Sequence, residues 1–151
     1  MKKRILIWAL LLIIGAGSTF ANNGGAGVNE KVLKSFKKEF ATAQDVQWEQ
    51  SESFAKATFK LNDQVMFAYY SLEGDLLGMT RNIVSTQLPI NLLADLRKNY
   101  NEYWITDLFE MATGNYTTYY LTIEDSDYKT ILKSTGSDNW EVYKKDRKAL
   151  D

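Results

Sequence analysis

Val32, Leu33, Phe36 and Phe40 recur at helical spacing, while Lys31, Lys34, Lys37 and Lys38 lie off that stripe. The pattern predicts an amphipathic helix over about residues 29–40, with Asn29 as its N-cap and the lysines on a solvated face. From Asp45 the period changes to two. Val46 and Trp48 alternate with Asp45, Gln47 and Glu49, and Ala55, Ala57, Phe59 and Leu61 alternate with Lys56, Thr58 and Lys60. Such alternation predicts half-buried antiparallel strands. Asn62-Asp63 and Leu72-Glu73-Gly74-Asp75 are turn sequences, so Val65–Tyr70 and Leu76 to about Val84 complete a four-strand meander behind the helix.

The same order then recurs. Shifted by 60, Val28, Val32, Leu33, Phe36 and Phe40 fall on Leu88, Leu92, Leu93, Leu96 and Tyr100. Asn29 falls on Pro89, expected at the first position of a second helix, where its missing N–H costs little. A shift of 61 sets Trp48-Glu49 on Phe109-Glu110. A shift of 62 sets Phe54 on Tyr116, Ala57, Phe59 and Leu61 on Tyr119, Leu121 and Ile123, and Gly74 on Gly136. An internal duplication is expected, with units at 28–84 and 88–148.

The first 21 residues stand apart from this pattern. Lys2, Lys3 and Arg4 precede an uncharged, mostly apolar run from Ile5 to Gly17, and Thr19-Phe20-Ala21 supplies small residues for a cut after Ala21. The run is short of the roughly 20 residues that cross a bilayer as a stable helix. A cleaved secretory leader at 1–21 is expected, then a flexible linker at 22–27, a periplasmic or secreted product and no stable membrane insertion.

Composition narrows the chemistry. Cysteine and histidine are both absent from the 151 residues, which removes disulfides, Cys/His zinc sites and every Ser-His or Cys-His catalytic arrangement. The remaining carboxylate, Lys, Tyr, Ser and Thr residues form no recognisable catalytic constellation, so no enzyme, metal or cofactor is expected. Taking the three basic residues of the leader from the eighteen leaves fifteen against nineteen acidic, a net charge of −4. That sign argues against nucleic acid as a partner. Glu124-Asp125-Ser126-Asp127 looks like a calcium-loop fragment but lacks the following Gly and distant Glu, so it reads as a hairpin turn. Lys144–Lys148 is expected to follow the last strand as a solvated tail.

The helix, the Asp45-Val46-Gln47-Trp48-Glu49 element, the alternating strand and Tyr69-Tyr70-Ser71-Leu72-Glu73-Gly74-Asp75 together resemble the beta-lactamase-inhibitor-like, PepSY-like domains of exported bacterial proteins. The second half departs from that pattern, with Phe109 in place of the Trp and Ser137 after Gly136. The resemblance implies an α+β fold, a tandem repeat of one helix packed on a four-stranded antiparallel sheet. It implies no catalytic residues, and a role in binding or restraining another exported or envelope protein.

A sheet with helices on one side leaves its other face open to water or a partner. If Ala57, Phe59, Tyr119, Leu121 and Ile123 face the helices, then Lys56, Thr58, Lys60, Thr118, Tyr120 and Thr122 face outward. Phe67, Tyr69, Lys129 and Ile131 join them if Met66, Tyr70, Tyr128 and Leu132 are buried. The candidate protein-binding face is therefore Lys56, Thr58, Lys60, Phe67, Tyr69, Thr118, Tyr120 and Ile131, aromatics among lysines. A non-enzymatic binding or inhibitory module is the expected function, with an envelope structural or sensory adaptor as the alternative.

Overall fold

The computed structural model describes Gly25, residues 27–136 and residues 139–149. The expected leader and most of the expected linker lie outside the described residues. Helix α1 (Glu30–Glu39) is followed by strands β1 (Gln44–Gln50), β2 (Ala55–Leu61), β3 (Gln64–Tyr70) and β4 (Leu76–Asn82). After a short 3-10 turn at Ser85–Gln87 the order repeats as α2 (Ile90–Asn99), β5 (Trp104–Thr113), β6 (Tyr116–Glu124), β7 (Tyr128–Thr135) and β8 (Glu141–Arg147).

All eight strands form one sheet in the order β1 to β8, rather than two sheets of four. The β4–β5 pairing that joins them runs from Met79↔Ala112 to Asn82↔Phe109. Gly78 permits it, since a Cβ there would lie 2.9 Å from Thr113 Cγ2 and 3.1 Å from the Ala112 carbonyl oxygen. Arg81 reinforces the pairing by donating to Glu110 across the two strands and to Gln64 Oε1 at 2.8 Å. The described chain divides into two compact units. One holds residues up to Asn62 with Ala68–Leu77; the other holds Asp63–Phe67 with Gly78 onward.

In the first unit α1 is capped by Asn29, whose side-chain oxygen accepts from the Lys31 N–H at 2.9 Å. Its stripe residues Val32 and Phe36 are buried, as are Trp48, Ala57, Phe59, Ala68 and Tyr70 of the strands, and the Phe36 ring meets those of Trp48, Phe59 and Tyr70. Aromatic rings dominate this core. Phe36 lies 5.1 Å from Trp48 and 5.0 Å from Phe59, both edge to face, an arrangement that matches positive ring edges to negative faces. The Tyr70 hydroxyl donates to Glu39 Oε2 at 2.9 Å, and burial followed by that carboxylate pushes its pKa well up. Gly74 has φ +95°, and a Cβ would lie 2.9 Å from the Lys31 carbonyl oxygen. Glycine is therefore required both by the turn and by its approach to α1.

In the second unit the core is mostly aliphatic: Ile83, Leu88, Leu92, Leu96, Leu108, Leu121, Ile123 and Leu132, closed by Trp140. Trp140 donates its indole N–H to the Leu92 carbonyl oxygen at 3.1 Å. Pro89 occupies the cap position of α2 rather than its first turn and supplies no side-chain cap. Phe109, set on Trp48 by the sequence shift, does not share its surroundings. Trp48 pairs with buried Ala57 on the helix side, whereas Phe109 pairs with Tyr120 on the other side. Phe54 and Tyr116 also differ, the first buried and the second exposed.

Candidate functional site

Alternation along each strand fixes which side chains face away from the helices. In the first unit, buried Ala55, Ala57 and Phe59 on β2 and Ala68 and Tyr70 on β3 face α1. Lys56, Thr58, Lys60 and Tyr69 therefore lie on the opposite, open side, and Phe67, two residues before Tyr69 on β3, has the same orientation. Two of these lysines are held by carboxylates of β1: Lys56 by Glu49 at 3.2 Å and Lys60 by Asp45 at 2.7 Å. Asp45 sits in a bulge between Gln44 and Gln47 and takes a positive φ of 52°. Tyr69 packs against Phe54 with ring centroids 6.0 Å apart.

In the second unit, Leu108, Leu121, Ile123 and Leu132 face the helix core. The register Asp107↔Thr122↔Ile131 and Phe109↔Tyr120↔Lys133 then places those six residues on the open side, with Thr118 beside Met111. Thr118 and Ile131 are partly exposed, but Tyr120 is buried at 2% exposure. The expectation of a free tyrosine there is corrected. Phe109 stacks on the Tyr120 ring at 5.1 Å, Tyr143 meets it edge-on at 6.0 Å, and Lys133 lies 5.9 Å from its centroid. Burial pushes the Tyr120 hydroxyl pKa up to about 12. Met111 and Thr122 are buried on this side too.

Three strands supply the groups that cover Tyr120, so nothing in its local sequence announced the burial. Tyr143 reaches it from a bulge in β8, where the register shifts between Ile131↔Lys144 and Leu132↔Val142. Lys144–Arg147 are part of this edge strand rather than a tail beyond it. Lys148, just past the strand, donates to the Asp125 carbonyl oxygen at 2.8 Å and pairs with Glu124 at 2.8 Å.

The Glu124–Asp127 segment is the β6–β7 turn. Asp125 Oδ1 accepts from the N–H groups of Asp127 at 2.8 Å and Tyr128 at 2.6 Å, and these bonds hold its carboxyl pKa down. Its oxygen thus closes a turn. Among the described residues no group of acidic side chains is placed to hold a metal ion, and no helix is long and apolar enough to cross a membrane.

A third β-bulge, in β5, also escaped the sequence pattern. Ile105 pairs with Ile123 and Asp107 with Thr122, leaving Thr106 as an extra residue in β5. Strict alternation from Leu108 would turn Trp104 toward the helix. The extra residue reverses it, so Trp104 pairs with Glu124 on the open side and is 67% exposed. Asp107, on that same side, is half-buried. Burial raises its carboxyl pKa, with the Leu108 N–H and the Lys129 charge acting the other way.

No protein-family profile and no curated protein matches the chain. Solved structures do match. A candidate periplasmic protein from Bacteroides eggerthii aligns over 80% of this chain and 88% of its own, at 12% identity and TM-score 0.70. A BLIP-like protein from Bacteroides fragilis aligns over 79% and 85%, at 15% identity and TM-score 0.65. A DUF2874 family protein from Bacteroides ovatus aligns over 87% and 89%, at 15% identity and TM-score 0.69. The chain therefore has the α+β, BLIP-like fold.

Proposed function

We propose that this protein is a non-enzymatic exported module that binds, and thereby restrains, another exported or envelope protein through the open side of its sheet. The basic start, short apolar run and small-residue ending of residues 1–21 support export to the periplasm or the medium, as does the fold shared with a candidate periplasmic protein. The two helix-plus-four-strand halves are read as an internal duplication. The observation that carries the binding role is the composition of the open side. Tyr69, Lys56 and Lys60 lie on it in the first unit, and Phe67, Trp104, Lys129 and Ile131 in the second, in each a mixture of apolar area with charge that suits a protein interface better than bulk solvent.

Position-dependent crosslinking tests this. A photoreactive benzoylphenylalanine is placed at Thr58 or Ile131 on the sheet, and at Lys34 or Arg97 on the helices. Irradiation in intact envelopes is expected to yield a discrete adduct from the sheet positions and none from the helix positions. Adducts from Lys34 or Arg97 alone would move the interface to the helical side and overturn the reading.

A further inference from the structure

The bulge in β5 brings together two residues that ordinary strand geometry would separate. Trp104 and Asp107 are three positions apart and would point to opposite sides of an unbroken strand. Because Thr106 is extra, both lie on the open side, opposite Glu124 and Thr122. Trp104 offers a largely exposed indole. Asp107 offers a carboxylate that has lost part of its hydration and has no cation within ion-pair distance among the described residues.

The neighbouring charges are already engaged. Glu124 is held by Lys148 at 2.8 Å and Lys129 at 3.8 Å, and Lys144 by Asp146 at 2.6 Å. A carboxylate and an exposed indole on the same side of one strand, opposite adjacent same-side positions Thr122 and Glu124 of β6, can attract one cation twice, through charge and through the ring quadrupole. A guanidinium suits both, since it is flat enough to stack and forked enough to meet a carboxylate. The net charge of −4 after the leader favours approach of a basic partner.

We infer that Trp104 and Asp107 form a recognition spot for a basic side chain, an arginine foremost, presented by the protein that the sheet holds. The inference rests on the open-side reading above and specifies the partner's chemistry. In the unbound state the half-buried carboxylate has the Leu108 N–H and the Lys129 charge acting on it and no ion-pair partner among the described residues. On binding, the incoming guanidinium supplies a direct ion-pair partner, closer than Lys129, and covers the indole.

The test uses the protein expressed with its own leader, labelled with nitrogen-15, and an amidated tri-arginine peptide as probe. The Trp104 indole N–H signal should shift saturably, and a tri-citrulline peptide should leave it in place. Asp107→Asn and Trp104→Ala should each weaken tri-arginine binding by about tenfold or more, with Trp104→Tyr retaining most of it. Glu73→Gln, at the distant β3–β4 turn, should have no effect. Equal weakening by Glu73→Gln and Asp107→Asn would reduce the interaction to general acidity and overturn the proposal. A Trp104 shift that follows protein concentration without peptide would make a second copy the occupant and also overturn it. Adduct formation from Ile131 that is undiminished in a Trp104→Ala/Asp107→Asn variant would leave the open-side reading standing and sink the basic spot alone. Absence of adducts from every sheet position would remove the reading itself, and this inference with it.

Discussion

The first strands of the two halves carry the same backbone irregularity and put it to opposite uses. In β1 the register slips between Gln44 and Gln47; in β5 it slips between Ile105 and Asp107. The β1 bulge is closed on itself, because Asp45 adopts a positive φ and its carboxylate takes the Lys60 ammonium at 2.7 Å. The β5 bulge instead turns Trp104 outward and leaves Asp107 without a paired cation among the described residues. One local distortion thus caps a charge in the first unit and exposes an aromatic in the second. A bulge sets direction, and the residues around it decide what is presented.

The cores differ in the same instructive way. Rings at 5.0 to 5.3 Å from Phe36 fill the space beneath α1, whereas leucines fill the space beneath α2. Phe36→Ala should produce the largest loss, about 3–5 kcal/mol, because it removes ring volume and the edge contacts with Trp48, Phe59 and Tyr70 at once. Leu96→Ala, at the corresponding turn of α2, should cost about 2–4 kcal/mol. Urea midpoints at unchanged slope measure both. A smaller loss at Phe36 than at Leu96 would mean that the aromatic core relaxes into the vacancy and that ring packing is not what distinguishes the first unit.

A smaller effect separates the two open sides. Tyr120 is buried under Phe109, Tyr143 and Lys133, while Tyr69 is only partly covered. Tyr120→Ser should therefore cost about 2–4 kcal/mol and Tyr69→Ser about 1 kcal/mol or less. Equal losses would show that the second unit has no aromatic layer of its own on that side. Tyr120 therefore supports this side from beneath, while Ile131, Lys129 and Trp104 are exposed or partly exposed on it.

Much of this was legible in the residues. Period-two alternation located the strands, and it sorted Lys56, Thr58, Lys60, Phe67, Tyr69, Thr118 and Ile131 onto one side because each such placement depends only on its own strand. What escaped depended on partners distant in sequence. The β4–β5 pairing that merges two sheets into one, the cover over Tyr120 and the slip that redirects Trp104 are all set by cross-strand register, which no local period encodes. Trp140 was missed for a related reason: it precedes β8 outside any repeating pattern, and its burial comes from α2, where the Leu92 carbonyl receives its indole N–H.

The helix starts give the mildest contrast. Asn29 satisfies an otherwise orphaned donor at the start of α1, the Lys31 N–H at 2.9 Å. Pro89, at the same place before α2, offers no side-chain acceptor. Asn29→Ala should thus cost about 1 kcal/mol. The reverse change, Pro89→Ser, adds a capping hydroxyl worth about 1 kcal/mol, but it also frees the backbone of the unfolded chain, which costs about 0.4–1 kcal/mol. The two contributions nearly cancel, so Pro89→Ser should leave the urea midpoint within about 0.5 kcal/mol of the parent. A clear gain would show that capping outweighs chain stiffness at α2. A clear loss would show that the extended geometry Pro89 imposes on buried Leu88, φ −66° and ψ 150°, matters more to the second core than the uncapped donors do.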